Sequence, residues 1–241
     1  MTSFYPADLA RIHDEGFGEF ARAASCEVLR RLPQEGLVVE LGCGSGISTQ
    51  ILSEAGYQVV GIDIAADMLA IARRRAPSAE LRRASIWEAE LPPCVGVTAI
   101  GEVINYAADE RAGAEQLPEL FARVHDALLP DGVFIFDFAT PGRGTLRAGG
   151  PHVREGTDWR IESEAVEDPA SKTLERRMTL DVGGRQRAEI HRLRLYEPEL
   201  VKGCLEHAGF RSEALAGYCD FGFWPGYGAF AALKPARSSG R

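Results

Sequence analysis

Val38-Val39-Glu40-Leu41-Gly42-Cys43-Gly44-Ser45-Gly46 is the stretch on which the fold turns. Leu37 to Leu41 is a short apolar run of the kind that forms a strand buried on both faces. Ile47 to Glu54 carries a helical pattern and stops at Gly56. The glycines between strand and helix permit positive φ and let backbone approach a ligand closely. Their spacing is G-x-G-x-G, with Ile47 where the third glycine of a dinucleotide-binding turn belongs. Glu40 sits at the strand end, where a carboxylate repels a diphosphate and suits a cationic ligand.

Working outward, Val59 to Ile64 predicts a second strand, and Asp63 at its tip lies 17 positions after Gly46. A carboxylate there accepts hydrogen bonds from two ribose hydroxyls and excludes a 2′-phosphate. A helix over Ala65 to Arg75 ends at Pro77. Leu81 to Ala84 reads as a third strand and Val95 to Gly101 as a fourth. A helix over Gln116 to Leu128, a turn at Pro130-Asp131-Gly132 and a strand over Val133 to Phe138 follow. Strands alternating with helices imply parallel pairing in a sheet covered on both faces. After Ala139 the pattern changes. Stretches at about 157–167, 172–182 and 185–196 read as half-buried strands, with Gly183-Gly184 as a tight hairpin turn. A helix over Glu199 to Ala208 and strands over Phe210 to Tyr218 and Tyr227 to Leu233 close the chain, and the tail from Ser238 reads as disordered. Upstream, 7–32 reads as two helices broken near Gly16 and Gly18. The expected division is an N-terminal helical cover at 1–36, an α/β domain at 37–139 and 197–235, and an antiparallel β lid at 140–196.

Composition narrows the function. Across 241 residues the formal charge is −8, which disfavours a phosphate backbone as partner, so no nucleic acid is expected. No apolar run is long enough to span a bilayer, and the start lacks the basic and apolar regions of a secretory signal; no membrane association and a cytoplasmic location are expected. The five cysteines are odd in number and none form a C-x-x-C pair, and the five histidines are scattered. Neither a disulfide framework nor a metal site is expected, in keeping with a reducing compartment.

Glu40-Leu41-Gly42-Cys43-Gly44-Ser45-Gly46 resembles motif I of the class I S-adenosylmethionine-dependent methyltransferases. Gly61-Ile62-Asp63-Ile64-Ala65-Ala66-Asp67-Met68-Leu69 is similar to the segment that follows in that family. The resemblance covers about 37–138, and 197–234 more loosely. It implies a doubly wound, mostly parallel, seven-stranded Rossmann-like sheet with an antiparallel last strand. It also implies S-adenosylmethionine as cofactor and S-adenosylhomocysteine as product. Glu40 and the turn Gly42, Cys43, Gly44 and Gly46 would face the methionyl and ribose parts, and Asp63 the ribose hydroxyls. Ile64 and Met68 would flank the adenine, with Ser85 and Ile86 beside it. Gly101 and Glu102 would lie under the methionyl group. Ser85 departs from the acidic residue many members carry there. Gly101-Glu102-Val103-Ile104-Asn105-Tyr106 is not the N-P-P-Y signature of nucleic-acid amino-methylating enzymes.

Methyl transfer from a sulfonium is an in-line displacement whose leaving group departs neutral, so it needs alignment and exclusion of water more than acid catalysis. Candidate acid–base or acceptor-contacting residues are His13, Glu102, Tyr106 and His152, with Tyr5 and Phe17 further candidates in the N-terminal cover. The expected activity is methylation of an N or O atom of a small-molecule acceptor, by a monomer or homodimer, with the lid and N-terminal helices forming the acceptor pocket. A non-catalytic S-adenosylmethionine-binding module remains the alternative.

Overall fold

The computed structural model describes residues 6–16, 18–144 and 152–236; Tyr5, Phe17 and the tail from Ser238 lie outside the described residues. The first strand, β1 (Leu37–Leu41), is flanked by β2 (Gln58–Asp63) and β4 (Cys94–Ala99), both parallel to it. β3 (Glu80–Arg83) extends the sheet beyond β2, and β5 (Leu128–Ala139) extends it beyond β4. The last strand, β13 (Tyr227–Leu233), pairs antiparallel with β5, and β10 (Arg211–Ala214) pairs antiparallel with β13 at the edge. The order is therefore β3-β2-β1-β4-β5-β13-β10. The parallel core is the sheet that the alternating pattern predicted, and the antiparallel last strand is the one that the family resemblance implied.

Side chains alternate across the pleat, so each strand feeds two cores. On β5, Phe134, Phe136 and Phe138 face one layer with Phe121 and Leu120 of α5 (Leu117–Ala127) and Val201 and Leu205 of α6 (Pro198–His207). Val133 and Ile135 face the other, with Ala24 and Val28 of α2 (Gly18–Arg31) and Leu52 of α3 (Ile47–Glu54). β5 starts earlier than expected. The Pro130-Asp131-Gly132 turn is absorbed as an irregularity within the strand, with Asp131 at φ 62°. The expected closing strand Phe210 to Tyr218 is instead split. β10 ends at Ala214, and β11 (Gly217–Tyr218) pairs with β12 (Phe221–Gly222) in a small hairpin outside the sheet.

Between β5 and α6 lies a separate antiparallel sheet of four strands rather than three: β6 (His152–Glu155), β7 (Trp159–Asp168), β8 (Thr173–Val182) and β9 (Arg185–Arg194). Helix α1 (Ala7–Gly16) is held between this sheet and the main domain. Leu9 and Ile12 pack on Trp159, Ile161, Met178 and Leu180, while Ala10 packs on Ala65 and on Met68 of α4 (Ala66–Arg75). Polar links add to the seam: Arg11 to Asp158, Arg187 to Asp8, and Trp159 Nε1 to Glu15. Among the described residues no helix is long and apolar enough to cross a membrane, and none of their His, Cys, Asp or Glu groups could hold a metal ion.

One expectation is overturned: Cys26 and Cys219 form a disulfide. The partners are 193 residues apart and share no spacing motif; the fold brings them together by packing α2 on the β11–β12 hairpin, where Phe20 meets Tyr218 and Phe221 edge-on. Cys43, Cys94 and Cys204 are free and buried. Thiol titration in denaturant is expected to find three thiols before reduction and five after it. Cys26→Ser is expected to cost about 2–5 kcal/mol in denaturant unfolding under non-reducing conditions, with no further loss on adding reductant.

Candidate cofactor and acceptor site

A cavity opens at the carboxyl ends of β1, β2, β3 and β4, where doubly wound sheets bind ligands. Gly42 and Gly44 line it from the turn after β1, and Asp63, Ile64 and Met68 from the junction of β2 and α4. Ala84, Ser85, Ile86 and Trp87 follow β3; Ile100, Gly101, Val103, Tyr106, Ala108 and Asp109 follow β4; His13 reaches in from α1. Of the residues predicted to meet the cofactor, Glu40, Cys43, Gly46 and Glu102 do not line this wall. Ala84, Trp87, Ile100, Val103, Ala108 and Asp109 line it without having carried a motif that marked them.

Two kinds of glycine shape the turns at and behind the wall. Gly42 and Gly46 are packed: a Cβ on either would strike Val103 or Ala72 within 2.9 Å. Gly44 (φ 54°) and Gly101 (φ 94°) are open: a Cβ on either meets nothing within 4 Å, so the vacant space beside them is cavity. Glu40 is buried behind the turn and accepts a 2.5 Å hydrogen bond from Thr49, tying β1 to α3; burial pushes its carboxyl up. Asp63 accepts from the Gly44 and Ala65 amides, each at 2.8 Å. Burial pushes its carboxyl up against the pull of those amides. Each oxygen keeps lone-pair capacity beyond its one amide. The Ser85 hydroxyl accepts the Trp87 amide at 3.0 Å and so shapes the turn after β3.

These residues fit S-adenosylmethionine. Ile64, 37 % exposed, is a large apolar side chain left open at the cavity with Met68, Ile86 and Trp87, a surface suited to a flat base. Asp63 presents carboxylate oxygens for a diol. Among the described residues the lining contains Asp63 and Asp109 but neither lysine nor arginine, which suits a cation and not a diphosphate.

Beyond Gly101 the site changes character. Glu102, in the left-handed region at φ 61°, turns its carboxylate away from the cavity wall. Arg143 Nε donates to Oε1 at 2.6 Å and Arg176 Nη2 to Oε2 at 2.7 Å. Burial alone would raise this carboxyl, but Arg176 and Arg143 more than offset that and hold it down at about 2. Both Glu102 oxygens are thus taken by arginines, and Glu102 does not line the cavity in which an acid–base role was expected of it. The turn itself is anchored by Asp137, fully buried on β5, which accepts the Gly101 amide at 2.9 Å, the Glu102 amide at 2.6 Å and the Tyr218 hydroxyl at 3.0 Å. Burial pushes the Asp137 carboxyl up to about 7 against those amides.

Arg176 Nη1 lies 3.5 Å from the Tyr106 hydroxyl, and Arg143 stacks on the Tyr227 ring at 4.1 Å. His191, opposite Arg176 in the β8–β9 ladder, meets Tyr106 edge-on. Burial brings His13 and His191 down to about 4 each, and the Arg176 charge pulls both further in that direction. His152 is exposed on β6 and does not line the cavity. Arg143, Arg176, His191 and Asp137 were missed in the sequence. A signal existed for Arg176: it shares the inward face of β8 with Leu174, Met178 and Leu180.

The methyltransferase-domain family matches residues 38–132. The chain is 29% identical to dTDP-3-amino-3,6-dideoxy-alpha-D-glucopyranose N,N-dimethyltransferase of Streptomyces fradiae, over 98% of this chain and 95% of that one. It is 35% identical to trans-aconitate 2-methyltransferase of Paracidovorax citrulli, over 71% of this chain and 62% of that one. The CcbJ methyltransferase of Streptomyces caelestis shares the fold, with a TM-score of 0.79 at 20% identity over 97% of this chain and 99% of that one.

Gly44→Val fills open cavity, so calorimetry is expected to show no binding of S-adenosylhomocysteine, with the far-ultraviolet circular dichroism unchanged. Asp63→Ala is expected to weaken that binding by about 1–3 kcal/mol through lost charged hydrogen bonds. Asp137 has a raised folded pKa, so its stabilising contribution is whole below about pH 4 and lost as pH rises through about 7. The difference in melting temperature, wild type minus Asp137→Asn, is therefore expected to shrink as pH rises from 4 to 8.

Proposed function

The chain belongs to the class I S-adenosylmethionine-dependent methyltransferases, and from that premise we propose that it methylates a nitrogen or oxygen of a small molecule held under the four-stranded sheet. The observation that carries this reading is the cavity that runs from Asp63 and Gly44 past Gly101 to Tyr106 and to His13 of α1, the helix on which the lid packs. A site bordered in this way suits a compact acceptor better than a polymer. The two relatives point the same way, since one is named for an amino sugar nucleotide and the other for trans-aconitate.

The cofactor supplies an electrophilic methyl group on a sulfonium. The chain supplies alignment. Gly44 and Gly101 give the space for close approach, Asp63 accepts from the ribose hydroxyls, and Ile64, Met68 and Ile86 flank the base. In this reading α1 and α2 cover the cofactor, the seven-stranded sheet and its helices bind it, and the four-stranded lid excludes water above the acceptor. His13 lies at the acceptor end. With its pKa near 4 it is neutral at ordinary pH, so its ring presents a lone pair that orients the N–H or O–H of the nucleophile. The Tyr106 hydroxyl, on the same wall, fixes the acceptor from the other side. Glu102 acts at one remove, by holding Arg176 beside Tyr106.

Mass spectrometry of the protein incubated with S-adenosylmethionine is expected to show S-adenosylhomocysteine accumulating only when an amino sugar nucleotide, trans-aconitate or another small acceptor is added. Binding without turnover across such a panel overturns the proposal. His13→Phe keeps the ring and loses the nitrogens. It is expected to lower turnover about tenfold, the worth of one hydrogen bond, with S-adenosylhomocysteine affinity held.

A further inference from the structure

Two guanidinium groups, from Arg143 and Arg176, converge on the single carboxylate of Glu102, leaving a net charge of +1 in a buried cluster. The Glu102 and Arg143 side chains are only 3% and 7% exposed, while Arg176 keeps 17%. Glu102 is the carboxylate that holds both cations, and the two cations repel each other. Among the described residues no second carboxylate bonds either guanidinium, Asp137 meeting the cluster only through the Glu102 amide; Tyr227 contributes its ring face to Arg143, Tyr106 its hydroxyl to Arg176, and the adjacent His191 and His13 are kept neutral. An uncompensated charge in a low-dielectric site is costly, and an anion placed against it recovers that cost. Arg176 has the more exposed side chain of the two, and its Nη1 lies 3.5 Å from the hydroxyl of Tyr106, which lines the cavity. Arg143 is sealed under Tyr227 and serves as the inner charge. Guanidinium forks match carboxylate and phosphate oxygens in geometry as well as sign.

We infer that Arg176, backed by Arg143, forms a subsite for an anionic group, carboxylate or phosphate, carried by the methyl acceptor beside the atom that is methylated. This rests on the methyltransferase reading of the cavity. It assigns the acceptor a chemical class: an organic acid or a phosphorylated compound rather than a neutral metabolite. Because no lysine or arginine lines the cofactor's wall among the described residues, the anion is recognised at the acceptor end and not beside the glycine turn.

The test is calorimetry on protein saturated with S-adenosylhomocysteine, at constant ionic strength. The probes are inorganic pyrophosphate, the tricarboxylate tricarballylate, and the neutral triamide of the latter. At least one anion is expected to bind and the triamide not to. Binding of tricarballylate alone names a carboxylate acceptor, and of pyrophosphate alone a phosphorylated one. Arg176→Met is expected to weaken the anion at least about tenfold while leaving S-adenosylhomocysteine affinity unchanged, and Arg176→Lys to retain part of the binding. Absence of binding by both anions to the wild type overturns the inference, as does equal binding by Arg176→Met. Should that variant fail to fold, the wild type decides alone: either anion must raise its melting temperature more than the triamide does. The first step, saturation with S-adenosylhomocysteine, separates failure of this inference from failure of the cofactor reading.

Discussion

The carboxylate of Glu102, held between Arg143 and Arg176, is the interaction on which the acceptor half of the molecule depends. It gathers three segments far apart in sequence: the tip of β4, the loop after β5 and the middle of β8. A buried carboxylate of this kind is tolerable only while both partners stay, since removing one leaves an unpaired charge at a cost of about 3–5 kcal/mol. The backbone is adapted to it. Glu102 occupies a left-handed conformation that disfavours side chains, and Asp137 takes up the two amides that this conformation turns inward. Three residues on, Asn105 bonds the Ala139 and Arg194 carbonyls and the Ala139 amide, so the same turn is stitched to β5 and to the end of β9. The lid is thus docked to the sheet by polar bonds of fixed geometry, and to α1 by apolar packing.

That docking divides the site by charge. Among the described residues that line the cavity, the charged groups beside the glycine turn are carboxylates, while Arg75 braces the turn from behind at Ser45. Under the lid the balance is reversed. A cationic methyl donor would be attracted to the acidic end, and an anionic group to the basic one. Electrostatics of this sort is prearranged by the fold and costs no reorganisation during reaction.

The parallel sheet and the glycine turn were legible because their signals are local: apolar runs of strand length, a breaker after each helix, and a carboxylate at a strand tip. Of the residues that the family resemblance implies for the cofactor, Gly42, Gly44, Asp63, Ile64, Met68, Ser85, Ile86 and Gly101 line one cavity. What sequence did not reveal depends on contacts between distant segments. Glu40 was read as facing the ligand, but Thr49, one helical turn into α3, takes its carboxylate. Glu102 was read as a free acid–base group, because nothing near it in sequence announces Arg143 or Arg176. β10 ends at Ala214 because the chain then leaves the sheet to form the hairpin that meets α2, and that same meeting joins Cys26 to Cys219. Odd cysteine counts and missing motifs argue only against local pairing.

The disulfide has a topological consequence. It closes a covalent ring that runs from α2 to the β11–β12 hairpin and contains β1 through β11, with the whole lid inside it. A protease that nicks an exposed turn of the lid opens this ring at one point and liberates nothing. Both halves stay on one molecule, tethered at their far ends, until a reductant severs the sulfur bridge.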